Sequence, residues 1–154
     1  MISKATEEYL KTMYVLNKTN GNIRVTDIAN AMDCTKASVN KAIIIFSEEG
    51  LIKYETYKEV EITEEGEDLA RKILEALDIV YVFLKDVLKM DEDKAKVEAE
   101  KMKNVMDDDT INLLARYVHK ELGLADLNCR YDVNQEKCRA CIKRTGKSER
   151  GKNE

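Results

Sequence analysis

The sequence predicts a mostly α-helical protein: an N-terminal winged helix-turn-helix, then a helical dimerisation segment, then a short cysteine-containing tail. Three observations predict it. Between Arg24 and Thr63, two short helical patterns flank a tight turn and run into an alternating, ribbon-like stretch. After Thr63, apolar residues recur every three to four positions over about 25 residues, more than a small winged domain can cover. Beyond residue 124 the pattern dissolves into a basic segment holding three of the four cysteines. These features divide the chain into 1–63, 64–124 and 125–154.

Composition narrows the function classes. The chain has 154 residues, 36% of them charged and none of them proline, which suits one small domain with an appended segment. No stretch approaches the roughly 20 apolar residues of a membrane span, and the N-terminus lacks the order of a signal peptide, so a cytoplasmic protein with no membrane partner is expected. The net charge of −4 is unevenly spread. Residues 1–63 hold 8 Lys/Arg against 9 Asp/Glu, residues 64–127 hold 10 against 17, and residues 128–154 hold 8 against 4. The acidic middle is unsuited to face a phosphate backbone, whereas the near-neutral winged region can present cations locally.

Helix one begins near Thr6, with Tyr9, Leu10, Met13, Tyr14 and Leu16 on one face and Glu7 and Glu8 in the first turn, where the helix dipole favours anions. Gly21 supplies a turn, and Ile23 to Val25 reads as a short strand that can pair with a wing. Thr26 is the expected N-cap of helix two, and Thr35, after the turn Asp33-Cys34, that of helix three. Along helix three Val39, Ala42, Ile43 and Phe46 share an inward stripe, so Ala37, Lys41 and Ile44 lie opposite. That outward face is where double-stranded DNA would be read: Thr35, Lys36, Ala37, Ser38, Asn40 and Lys41 are the candidate contacts. Gly50 ends the helix as a left-handed cap, and the wing follows around the tip Glu55-Thr56-Tyr57-Lys58. Lys53 and Lys58 are candidates for flanking phosphates, although Glu55, Glu59 and Glu61 dilute the wing's positive charge.

Thr63 caps the long helix carrying Leu69, Ile73, Leu77, Val80, Leu84 and Val87. Its surplus apolar face calls for a partner. The next helix, to Met106, is expected to turn Val97, Met102 and Val105 inward. The run Asp107-Asp108-Asp109 reads as a cap and turn before Ile111 to Leu122 rather than as a cation site, because no oxygen-ligand pattern surrounds it.

The order EEYLKTMYVL, VTDIANAMDCTKASVNKAI, EEGLIKYE, ITEEGEDLA, a long helix and NVMDDDTINLL resembles the iron- and manganese-dependent repressors of the diphtheria-toxin-repressor type over about residues 5–122. The resemblance implies a homodimeric repressor on a DNA operator. It further implies that a divalent transition metal, bound between helix one and the helices after the wing, sets the spacing of the recognition helices. Carried over position by position, the ligand places fall on Glu8 and Lys11 in helix one and on Leu77 and Tyr81 in the long helix. In the following helix they fall on Lys96, Glu100, Lys103 and Asn104. Glu8 and Glu100 are the ligands left, too few to hold a transition metal tightly. Lys103 reads either as an internal cation standing in for the metal or as an ordinary surface ion pair within its helix.

The tail offers a second metal-binding possibility. Cys129, Cys138 and Cys141 are spaced C-x8-C-x2-C, in which the close pair can chelate one ion and the third thiolate can close from a loop. His119, the one histidine, would complete a Cys3His zinc site, with an iron-sulfur cluster as the rival, free redox thiols as a third reading, and a solvated helix position as the plain reading of His119 itself. Cys34 reads as small apolar packing. No phosphate loop, dinucleotide fingerprint or paired nucleophile appears, so an enzyme is not expected. The alternative from another class is a zinc- or cluster-stabilised interaction module that keeps the winged fold without reading DNA.

Overall fold

The computed structural model describes residues 2–123, which fold as two compact units, one through Ile73 and one from Leu74 on. Cys129, Cys138 and Cys141 lie outside the described residues.

In the first unit α1 spans Lys4–Asn20, α2 Val25–Met32 and α3 Lys36–Glu48. Strands β1 (Ile52–Lys53) and β2 (Glu61–Ile62) pair antiparallel, with Ile52 opposite Ile62 and Lys53 opposite Glu61. The core gathers Leu10 and Met13 from α1, Ile28 from α2, and the predicted α3 stripe Val39, Ala42, Ile43 and Phe46, closed by Ile52 and Val60 of the wing. Ile23 forms a single antiparallel bridge to Val60, the Val60 N–H donating to the Ile23 carbonyl at 2.8 Å.

That bridge shifts one expected cap. With Ile23 pinned to the wing, helix α2 starts at Val25 and its N-cap is Arg24, not Thr26; the Arg24 N–H donates to the Asp27 carboxylate at 3.0 Å. Helix α1 likewise starts earlier than the periodicity indicates, because Ser3 caps it by accepting from the Thr6 N–H. Thr35 caps α3 as predicted, accepting from the Ser38 N–H at 3.2 Å. At the far end of α3, Gly50 takes φ +72° and the Leu51 N–H closes onto the Phe46 carbonyl at 2.8 Å, the six-to-one bond of a left-handed C-cap.

The start of α4 (Glu64–Val82) is tied to the wing by Thr63. Its hydroxyl donates to the Gly50 carbonyl at 2.7 Å and accepts from the Gly66 N–H at 3.1 Å, while its own N–H donates to the Leu51 carbonyl at 3.0 Å.

In the second unit α4 passes into a π-helical turn, Phe83–Val87. Helices α5 (Glu92–Val105) and α6 (Asp108–Glu121) follow. Asp107 caps α6 by accepting from the Thr110 N–H at 2.8 Å, and hydrogen bonds from the Thr110 side chain first and its N–H second hold the carboxyl below the usual range, so the acidic run is a helix start as expected. The face of α5 differs from expectation. Val97 and Val105 are 56% and 86% exposed, and Ala95, Ala99 and Lys103 are buried instead. Val80 and Leu84 of the long helix form a cluster with Ala95 and Ala99, where small side chains permit close approach.

Candidate nucleic-acid interface and metal positions

The fold presents α3 as a reading head. Lys36, Ala37, Asn40, Lys41 and Ile44 are exposed along the face opposite the buried stripe, and Thr35 is exposed at its N-terminal end. Ser38 is half-buried, and its hydroxyl pairs with that of Thr35 at 3.0 Å. The Tyr9 phenol lies against Cys34 and Ser38, and burial foremost, then the Cys34 thiol, pushes its pKa up. Cys34 itself is half-buried against the core, the packing role its position suggested.

Between α3 and the wing lies a groove of about 740 Å³ whose lining includes Arg24, Lys36, Asn40, Ile44, Tyr57 and Lys58. Two of these residues were not singled out from sequence. Arg24 is exposed at the α2 N-cap, where the bridge at Ile23 orients the chain; a cation just before a helix start was the available signal. Tyr57 stands 98% exposed at the wing tip with φ +66°, and nothing in local periodicity marks a tip residue as a contact. Of the two wing lysines, Lys53 is exposed on β1, while Lys58 is engaged in an ion pair with Glu55, both side chains well exposed. Such a pair is worth little in water and yields readily to a phosphate.

Most of the places where the resemblance puts a metal ligand are taken by other chemistry. Glu8 of α1 is bound by the Lys11 ammonium at 2.9 Å. On α4, Leu77 offers no donor and Tyr81 only a phenol, whose pKa is raised by burial foremost. On α5, Lys96 pairs with Glu92 at 3.2 Å, Glu100 is half-buried, and Lys103 is 3% exposed. Lys103 is therefore not an ordinary surface ion pair. Asn104 contributes a buried amide oxygen without a hydrogen-bond partner, a neutral donor. Among the described residues no group of three or more His, Cys, Asp or Glu side chains is placed to hold an ion, so the donor set does not fit a transition metal. His119, expected as a solvated position, is 4% exposed, and burial holds its imidazole pKa below the usual value.

A three-helix unit with a paired wing and an exposed polar face on its third helix is a winged helix-turn-helix, a class whose third helix can enter a DNA groove. Comparison with known proteins narrows this. A family model described as the iron dependent repressor N-terminal DNA binding domain matches residues 1–60, and the iron dependent repressor metal binding and dimerisation domain matches residues 63–120. The chain belongs to the iron-dependent repressor family. It is 28% identical over 120 residues to an uncharacterized HTH-type transcriptional regulator of Methanocaldococcus jannaschii, covering 77% of this chain and 96% of the relative. It is 25% identical over 118 residues to the HTH-type transcriptional regulator MntR of Lysinibacillus sphaericus, covering 77% and 84%. The crystal structure of the metal-dependent transcriptional regulator MtsR shares the fold, with a TM-score of 0.66 at 22% identity, over 77% of this chain and 54% of that one. The chain thus spans about half the length of that solved relative. These relatives are transcriptional regulators rather than enzymes, and this chain is a DNA-binding regulator of their family. No helix among the described residues is long and apolar enough to cross a membrane.

Proposed function

We propose that this protein is a homodimeric, cytoplasmic repressor that reads a double-stranded DNA operator with the exposed face of α3 in the major groove. The observation that carries the reading is the separation of faces on α3: Val39, Ala42, Ile43 and Phe46 inward, Asn40, Lys41 and Ile44 outward beside the groove under the wing. Asn40 and Lys41 have the donors to meet base edges. Ile44, 58% exposed, suits a thymine methyl, and Lys36, Lys53, Lys58 and Arg24 are positioned for phosphates. Dimerisation is supported by the apolar surface a single chain leaves uncovered in its second unit, where Leu88, Val97, Val105 and Leu113 are each more than half exposed. The regulatory signal in this reading enters at Cys129, Cys138 and Cys141, which would hold zinc or an iron-sulfur cluster.

The deciding experiment measures binding to the protein's own promoter region for wild type and Lys41→Ala across a salt series. Loss of a base contact costs about 1–3 kcal/mol, roughly 5- to 150-fold in affinity. Equal affinities that ignore salt would instead favour an interaction module. Anaerobically purified protein is expected to carry zinc or iron, and a colourless, metal-free chain with three titratable tail thiols would remove the tail site.

A further inference from the structure

We infer that DNA binding by this chain is independent of a divalent cation at the family's metal positions, because lysine ammonium groups built into α1 and α5 supply permanently the positive charge that a cation would bring. The inference rests on the DNA-binding reading above for its consequence, but not for its physical basis. In the first unit, Lys11 lies 2.9 Å from Glu8, and both side chains are at least two-thirds shielded from water. A carboxylate so paired has its charge already balanced, which weakens its pull on a dication. In the second unit, Lys103 is 3% exposed and carries an interaction of its own. An ammonium has three donors and no lone pair to give, so it cannot ligate, and it repels any dication brought beside it. A lysine this deeply buried persists only where the fold compensates its charge.

The remaining residues do not rebuild a site. Leu77 is a hydrocarbon, Lys96 is an ammonium with no lone pair to give, and Asn104 offers one neutral oxygen. That leaves Glu100 as an ionisable donor on α5, and an oxygen pair of this kind binds manganese or iron weakly. Here the positive charge is covalently attached, so it is present at every metal concentration, and control passes to other parts of the chain.

The test uses the full chain with Cys129→Ser, Cys138→Ser and Cys141→Ser, so that tail thiolates cannot report on the positions in question. Matching far-UV circular dichroism melts show that the variant keeps its fold. After chelator treatment it is titrated with Co²⁺ and dialysed against Mn²⁺. The expected result is no retained Mn²⁺ and no cobalt absorption beyond the weak d–d band of the aqua ion. One ion bound per chain, with the corresponding spectrum, overturns the inference. Promoter affinity of the same variant is expected to agree within about twofold with chelator or with Mn²⁺, and a tenfold gain with Mn²⁺, equivalent to about 1.4 kcal/mol, also overturns it. A wild-type chain that ignores DNA in both conditions refutes the proposed function, while the dialysis and cobalt results on the variant still decide this inference.

Discussion

Replacing Gly66 with alanine sets two effects of opposite sign against each other. Gly66 is buried in the first turn of α4, where helix propensity alone would favour alanine by about 1 kcal/mol. A Cβ at that position, however, would sit 2.0 Å from the Leu51 carbonyl oxygen, 3.0 Å from the Leu51 carbonyl carbon and 2.9 Å from Ile62 Cγ2. Ile62 could rotate. The Leu51 carbonyl is backbone, and it is held by the Thr63 N–H at 3.0 Å beside the Thr63 to Gly50 bond of 2.7 Å. To relieve the overlap, α4 must move off the wing and loosen these bonds. Overpacking costs about 1–3 kcal/mol, and a backbone obstacle puts this case at the upper end, so the net expectation is a loss of about 2 kcal/mol. Urea unfolding followed by circular dichroism should show a lower midpoint at unchanged slope, and the melting temperature should fall by about 4–8 °C. A Gly66→Ala chain as stable as wild type or more so would show that the contact yields freely, and the reasoning would be wrong.

Two further predictions use the same measurement. Thr35→Ala removes the side chain that accepts the Ser38 N–H and should destabilise the fold by about 1 kcal/mol, an effect that Thr35→Ser largely restores; unchanged midpoints would deny the cap a role. Asp78 has a carboxyl raised to about 6, by desolvation first and then by the neighbouring Glu75. Its folded pKa lies above its ordinary value of 3.8, so its contribution to stability is full below about pH 4 and is lost as pH rises through about 6. Asp78→Asn should therefore gain stability relative to wild type as pH rises between those limits, with the full gain above about pH 6. Asp78 is an exposed residue, so screening by water reduces the gain to the order of 1 kcal/mol at most. A stability difference identical at pH 4 and pH 7 would remove the titration argument.

The first unit was legible because its signals are local. Thr35, Thr63 and Gly50 each mark an end of a helix through a hydrogen bond or a backbone angle that spans only a few residues. The α3 stripe follows from 3.6-residue periodicity with one face to fill. Where a distant contact intervened, the reading slipped: Thr26 is a good N-cap by type, yet the Ile23 to Val60 bridge starts the helix two residues earlier and gives that place to Arg24. The residues missed at the interface, Arg24 and Tyr57, depend on how the wing folds beside α3.

The sequence by itself determined the winged helix-turn-helix, both caps of α3, the outward face of that helix and the scarcity of metal donors, since each depends on residue type and short spacing. Tertiary structure alone decided which face of α5 is buried and what becomes of its lysine. Hydrophobicity pointed Val97 and Val105 inward, but close packing selects Ala95 and Ala99, leaving the valines exposed on the single chain. Burial of Lys103 at 3% exposure, and of His119 at 4%, is decided by which helix faces meet, a relation between distant segments that local periodicity does not encode.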